Sequence, residues 1–394
     1  MRRQAMPGEE HSELRKFVAP EFVFGAGAAM LAGQYAANLS AKKALVVSGP
    51  TLESIGWTGL IVDSLTREGV DCAVFTGVSP NPRHEEVMTG AEVYRREGCD
   101  AIVAVGGGSP MDCAKAIGIV CTNDRHVLEF EGVDNVDRPG PPLICIPTTA
   151  GTAADVSQFC IISDPDRKVK IAIVSKTMVP DVALIDPRLT VTMDEILTAH
   201  TGLDALTHAV EAFVSNAASA ITDLNALESM RLIRTHLKGA VERPDDMIAR
   251  TGMMLASTYA GLAFSNAILG AVHAMAHSLG GLLDLPHGLC NAILLDSVID
   301  YNFDSAPEKY RRMGIALGAD IPPDASPGEV RARTVDVVRA LKRDVGVTDT
   351  LAELGIKPDD LPLLAGNALA DVCMLTNPKQ PSADDLIEIF RQSR

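Results

Sequence analysis

From Thr251 to Leu283 the chain runs without one acidic or basic side chain other than histidine, reading TGMMLASTYAGLAFSNAILGAVHAMAHSLGGLL. A segment this apolar has to be buried, in a bilayer or at the centre of a large protein. It is long enough to span a bilayer. However, Ser257, Thr258, Ser265, Asn266 and several glycines interrupt it, and no basic flank marks its ends. We therefore expect one helix, or two, deep inside a soluble protein, with no membrane contact.

Two imidazoles sit in this stretch. His273 and His277 are spaced i, i+4, so they project from the same side of a helix. His287 follows on the segment DLPHGLCN, Asp284–Asn291, which reads as a loop. The preceding glycine pair and Pro286 let that loop turn back. Upstream, TGLDALTHAVEAF from Thr201 to Phe213 suits a second helix, with Asp204 and His208 again at i, i+4. A carboxylate and an imidazole so placed can clamp one cation, and further histidines complete a ligand set. A lone histidine on an apolar face is usually a satisfied core residue. Two such pairs in apolar surroundings point instead to a metal site. Spacing alone does not choose between His273 and His277, since they share a face.

The length of 394 residues suggests two domains, and the formal charge of −16 makes nucleic acid an improbable partner. The N-terminal MRRQAMPGEEHSELRK has no apolar core behind its arginines, so it does not read as a secretory signal. Eight cysteines are scattered without a Cys-x-x-Cys pair. Most, such as Cys72, Cys145 and Cys160, lie in strand-like runs, which fits a reducing cytoplasm.

The first half alternates β-branched runs with helical patterns. Strands are expected at Glu21–Phe24, Ala44–Ser48, Cys72–Phe75, Ala101–Val105 and Leu143–Ile146, with helices such as Trp57–Glu68 and Glu85–Glu97 between them. Such alternation implies parallel strands with right-handed crossovers. Phe159–Ile162, Lys170–Val174 and Val182–Ile185 add further strands, and Asp186-Pro187 ends the series. Beyond Met193, where Thr192 or Asp194 can cap a helix, helical periodicity takes over. The expected fold class is thus an α/β N-terminal nucleotide-binding domain with a parallel sheet, residues 1–188, followed by an all-α metal-binding domain, residues 189–394. Phe17–Gly27 reads as an edge strand that needs pairing or cover, as a homodimer or higher homo-oligomer would supply.

Two glycine clusters follow strands. Gly25-Ala-Gly27 lacks the third glycine of a dinucleotide fingerprint, because position 30 is Met30, and reads as a tight turn. The second is stronger. Ala101–Val105 runs straight into GGGSPMDCAK at 106–115, a strand, glycine loop and helix start whose N–H groups can cradle an anion. It lacks the Gly-Lys-Ser/Thr ending of a phosphate-hydrolysing loop. PTTAGT at 147–152 lies at the next strand's end, and ligands bind at the carboxyl ends of parallel strands.

With these residues in hand the chain resembles the iron-containing, or group III, alcohol dehydrogenases. The likeness runs from FVFGAG at 22–27 to Asp371-Val-Cys373, through SPNP at 79–82, GGGSPMDCAK, PTTAGTAAD at 147–155, GLDALTHAVEAF at 202–213, GAVHAMAHSLGG at 270–281 and PHG at 286–288. The resemblance implies Asp204, His208, His273 and His287 as metal ligands. It leaves His277 near the reacting centre, for proton relay or substrate contact, and sets Asp112 near the nicotinamide. It implies Asn81, Gly107, Gly108, Ser109, Thr148, Thr149, Thr152 and Lys170 as cofactor contacts. Relatives that prefer NAD often carry an aspartate where this chain has Gly49. NAD is expected, with NADP permitted because neither an acid nor a base stands there. Fe²⁺ is the implied metal, and the ligand set would also accept Zn²⁺. The implied activity is hydride transfer between a short primary alcohol, such as ethanol or propanediol, and a nicotinamide, giving an aldehyde.

Two other functions compete. A dehydroquinate-synthase-like lyase also combines NAD with a metal, but needs basic residues for a phosphorylated substrate. The run around the histidines is uncharged. A non-catalytic metal-binding assembly protein would not need a cofactor loop beside its metal.

Overall fold

The structure is a computed structural model and describes residues 15–394. Most of the N-terminal segment read above as lacking a secretory signal lies outside the described residues. Six strands form one sheet: β1 (Glu21–Phe24), β2 (Lys43–Val47), β3 (Asp71–Phe75), β4 (Ala101–Gly106), β6 (Leu143–Pro147) and β9 (Val182–Ile185). Their order is β1-β9-β6-β4-β2-β3 and every pairing is parallel. Helices cover both faces, so the central strands are apolar on both sides: Leu45, Val46 and Val47 of β2 and Ile102 to Val105 of β4 are all buried. The loops leaving β2, β4 and β6 emerge from one edge. They carry Gly49, Gly107 to Ser109, and Thr148 to Thr152 respectively.

The remaining strands depart from an all-parallel reading. β5 (Gly132–Val133), β8 (Val169–Val174) and β7 (Phe159–Asp164) make a separate small sheet in which β7 and β8 are antiparallel. The reason is the connection between them. Only residues 165–168 join the two strands, with Lys168 in the left-handed region at φ 53°. A turn that short can return the chain only antiparallel, whereas a parallel crossover needs a dozen or more residues. Gly25 and Gly27 form the expected tight turn, with φ of 140° and 101°.

Beyond Ile185 the described residues contain helices and no strand. Asp194 caps helix Glu195–Val214 by accepting from Leu197 N at 2.7 Å. The uncharged stretch resolves into most of helix Met247–Ala267 and all of helix Ala271–Leu283, bent by 99° between them. Among the described residues no single helix is long and apolar enough to cross a membrane. The bend falls at Ile268, held at φ 63°. It sends His273 and His277 back towards the sheet edge. One correction concerns His287. It stands not on a loop but at the first position of helix His287–Asn302. Pro286 precedes that helix as its cap residue, and Gly288 lets the first turn lie against the His200 carbonyl, where a Cβ would collide.

Candidate metal centre and cofactor cleft

The metal-ligand candidates meet where three helices converge. Asp204 and His208 share helix Glu195–Val214, His273 belongs to Ala271–Leu283, and His287 opens His287–Asn302. Around the Asp204 Oδ1 atom lie His287 Nε2 at 3.6 Å, His273 Nε2 at 3.8 Å and His208 Nε2 at 4.0 Å. A tetrahedral cation with bonds of about 2.1 Å holds its ligand atoms about 3.4 Å apart, so this set is near that spacing. His277 stays outside the circle. Its Nδ1 turns to Asp371 Oδ2 at 2.8 Å. Geometry therefore separates the two histidines that spacing left equivalent.

Side chains fix the rings. His208 stacks between Phe264 at 4.2 Å and His273 at 4.6 Å, centroid to centroid. His273 Nδ1 meets Glu211 Oε2 at 2.6 Å, while Glu211 Oε1 accepts from Val272 N at 2.6 Å. A carboxylate behind an imidazole sets which nitrogen faces a metal. Burial pushes His208 down to about 4 and His273 down to about 3, although the Asp204 carboxylate pulls both up. Burial also drives His287 well below the usual histidine range, with Lys170 adding to the effect, although a quarter of its side chain faces the cleft. Neutral imidazoles are what metal ligation requires of histidines. Burial raises the Glu211 carboxyl to about 7, against the pull of the Val272 and Gly270 N–H groups.

Asn291 shows what this centre lacks. Its Nδ2 lies 2.7 Å from Asp204 Oδ1, 3.1 Å from His273 Nε2 and 3.1 Å from His287 Nε2. An amide nitrogen carries two protons and cannot serve three acceptors. At the same time Asn291 Oδ1 is buried without a partner. The centre is rich in lone pairs and short of positive charge, which a divalent cation would supply. On this observation the residues fit a metal.

All the residues expected to bind cofactor or metal, and both catalytic candidates, line one cleft of about 560 Å³. At its glycine end Gly106 has φ +154°, and a Cβ there would lie 2.5 Å from Pro110. Gly107 caps helix Gly108–Asn123, whose N-terminus opens into the cleft. Thr149 Oγ1 is buried beside Gly107 and has no partner within the protein. Asn81, at φ 55°, links both halves: it receives Lys170 Nζ at 2.7 Å and donates to Asp284 at 2.8 Å. Arg83 reaches the same Asp284 at 3.0 Å. Burial raises the Asp112 carboxyl to about 6, opposed first by Lys115. Gly49 lies at the far end with ordinary φ, and a Cβ there would meet only the Val78 carbonyl at 3.5 Å.

Four residues escaped the sequence reading: Glu211, Asn291, Asp284 and Asp371. Two carried a signal. Glu211 stands three residues after His208, and Asn291 four after His287, so each shares a helical face with a ligand candidate. Asp284 and Asp371 carried no spacing signal, although Asp371 lies at the end of the family likeness, because tertiary packing alone brings them to the site.

The family model described as iron-containing alcohol dehydrogenase matches residues 19–187, and that of the Fe-containing alcohol dehydrogenase family, C-terminal, matches residues 198–394. The chain belongs to the iron-containing alcohol dehydrogenase family and is an oxidoreductase that interconverts alcohols and aldehydes. It is 41% identical to the 1,3-propanediol dehydrogenase of Klebsiella pneumoniae over 372 residues, 94% of this chain and 96% of that one. It is 36% identical to the NAD-dependent methanol dehydrogenase of Bacillus methanolicus over 377 residues, 96% of this chain and 99% of that one. The crystal structure of a 1,3-propanediol oxidoreductase matches it with a TM-score of 0.94 at 40% identity, covering 97% of this chain and all of that one.

Proposed function

We propose that this enzyme oxidises short primary alcohols or diols, and reduces the matching aldehydes, with NAD and Fe²⁺. The observation that carries this reading is the lone-pair-rich centre of Asp204, His208, His273 and His287 around Asn291, facing the glycine loop across one cleft. NAD is favoured by the methanol-oxidising relative's name. NADP stays compatible with the uncharged Gly49, and Zn²⁺ with the nitrogen-rich donors. Residues 1–188 are assigned the cofactor and 189–394 the metal. The exposed β1 edge, with Phe22 43% accessible, supports a homodimer covered along that edge. Buried thiols such as Cys113, Cys145 and Cys160 suit a cytoplasmic setting.

When bound, the cation would act as a Lewis acid on the substrate oxygen and the nicotinamide would accept or give the hydride. The chain's own residues do the rest. Asp204, His208, His273 and His287 would hold the metal, with Glu211 keeping His273 turned towards it. Gly107, Gly108 and Ser109 offer N–H groups to the cofactor phosphates, and Thr148, Thr149 and Thr152 offer hydroxyls. Phe159, Phe264 and Leu269 line the space beside His208 and keep water from the reacting carbon. His277 and Asp112 flank the remaining volume, His277 to carry the hydroxyl proton.

The test is a screen of alcohols and aldehydes with NAD and NADP on protein reconstituted anaerobically with Fe²⁺ or Zn²⁺, with metal content measured in parallel. Turnover of 1,3-propanediol or a similar short alcohol is expected. Stoichiometric metal with no turnover of any alcohol or aldehyde would point to the assembly-protein reading. Sedimentation showing only monomer at micromolar concentration would reject the dimer.

A further inference from the structure

Helix Ala271–Leu283 carries two imidazoles, and each has a carboxylate behind its Nδ1. Glu211 backs His273 and comes from the same helix as Asp204. Asp371 backs His277 and comes from the far end of the chain, where helix Leu361–Ala370 stops and the turn Val372–Thr376 begins. Both Asp371 oxygens are committed. Oδ1 accepts from Cys373 N at 2.8 Å and caps the turn, while Oδ2 lies 2.8 Å from His277 Nδ1. The Asp371 side chain is 9% exposed, behind the ring rather than in the cleft.

A neutral imidazole carries one proton, and an ionised carboxylate only accepts. The contact with Asp371 therefore places that proton on Nδ1 and leaves Nε2 with its lone pair. The ring lines the cleft, so Nε2 is the nitrogen available there. Its plane is fixed as well: His277 stacks on His287 at 5.3 Å and 18°, and meets His273 edge-on at 6.1 Å and 71°.

We propose that Asp371 is a positioning residue for alcohol oxidation, holding His277 in the tautomer whose Nε2 receives the hydroxyl proton. The inference rests on the dehydrogenase reading above. In oxidation the O–H bond breaks, its proton passes to Nε2 and its electron pair stays on oxygen. That pair forms the C=O bond as hydride leaves the carbon for the nicotinamide. His277 then releases its proton to solvent, and reduction runs the same steps backwards. Asp371 takes no proton. It fixes the ring and offsets the charge His277 gains. The C-terminal turn 371–376 thereby acts on a site otherwise built before residue 292.

Asp371→Asn is the discriminating variant. Its Oδ1 can still accept from Cys373 N, so the turn stays capped. Its NH₂ then faces His277 Nδ1 and donates to it, which moves the ring proton to Nε2. With reconstituted enzyme we expect kcat to fall about a hundredfold or more, with KM for alcohol and NAD within about threefold. Metal content and melting temperature should stay at wild-type values. The solvent deuterium effect on kcat should grow while the effect of deuterating the alcohol carbon shrinks, because proton transfer becomes limiting. Asp371→Glu, which keeps a carboxylate behind the ring, should recover most of the loss. Wild-type kcat in Asp371→Asn overturns the proposal, as does loss of metal together with activity in both variants.

A second measurement needs no turnover. Histidine ¹⁵N shifts of the Zn²⁺-loaded protein should show His277 protonated on Nδ1 in wild type and on Nε2 in Asp371→Asn. Nε2 protonation in wild type would sink the proposal. The expected tautomers in a protein that turns over no alcohol would sink the dehydrogenase reading and leave the positioning intact.

Discussion

The candidate metal centre and the glycine end of the cleft are built from opposite materials. At the centre the groups that face one another are side chains: Asp204, three imidazoles and Asn291, with Glu211 behind His273, nearly all buried. At the glycine end the backbone does the work, and Gly106, Gly107 and Gly108 serve by what they lack. Cβ atoms there would meet Pro110, Thr149 and Thr152 at 2.5, 3.1 and 3.0 Å. The difference teaches that the two regions fail in opposite ways. The centre should suffer when a side chain is removed, the loop when one is added.

The largest effect should therefore follow removal at the centre. His273→Ala, and likewise Asp204→Ala, His208→Ala and His287→Ala, should purify nearly metal-free, with activity down more than about a thousandfold. His277→Ala sits on the same helical face but should keep its metal by elemental analysis and slow turnover, by about ten- to ten-thousandfold. If His277→Ala lost the metal while His273→Ala kept it, the ligand and relay assignments would have to be exchanged.

At the glycine end the asymmetry reverses. Gly106→Ala adds one methyl group in a backbone region that L-residues rarely adopt and drives it into Pro110. It should weaken NAD binding or destabilise the fold by about 1–3 kcal/mol. Thr149→Ala removes a hydroxyl that has no partner within the protein, and should weaken NAD binding by about 1 kcal/mol without harming the fold. Calorimetric NAD titration and thermal unfolding on both variants decide the matter. A Gly106→Ala variant that binds NAD and unfolds as the wild type does would break the contrast.

The same contrast explains what the sequence disclosed. The gathering of side chains was legible because Asp204 and His208 share one helical face and an uncharged stretch leaves its histidines few alternatives, although spacing alone did not separate His273 from His277. The parallel sheet was legible because β-branched runs alternate with helical patterns along the first half of the chain. The antiparallel β7–β8 pair was missed because nothing in Phe159–Ile162 or Lys170–Val174 encodes direction; the four-residue turn does. His287 looked like a loop residue because Pro286 and Gly288 are turn formers, yet at a helix start Pro and Gly are tolerated or needed. Asp371 was invisible as a partner because it lies 94 positions beyond His277 in sequence.

A smaller effect tests where the cleft reads the cofactor. Gly49 has φ −103° and only the Val78 carbonyl near its missing Cβ, so a larger residue fits without strain. Gly49→Asp adds a carboxylate that repels a 2′-phosphate and can bond ribose hydroxyls. The NADP/NAD ratio of kcat/KM should drop by about tenfold. An unchanged ratio would remove Gly49 from the ribose end of the cleft.

An effect on stability alone, with no part in turnover, concerns the loop that joins the two regions. Residues 147–158 leave the glycine end and pack Ala153 and Val156 against Gly261 of the helical half, where even a Cβ would not fit. Asp155 in this loop is 4% exposed, and burial raises its carboxyl to about 6, opposed by its own backbone N–H and by Lys115. Its value in the unfolded chain is near 3.9. Between these two values the folded protein holds a proton that the unfolded chain has lost, so this group's contribution to stability falls as pH rises through the window and is lowest above about pH 6. Asp155→Asn removes the titration while keeping the shape. Subtracting wild-type from variant unfolding free energies cancels the titrating groups that do not interact with Asp155. The difference should move in the variant's favour by about 1–2 kcal/mol between pH 4.5 and pH 8. Urea unfolding of both proteins without metal or NAD measures it. Movement in the opposite direction would mean that Lys115 holds the carboxylate ionised, making Asp155 part of a charge pair rather than a buried acid tolerated at the join.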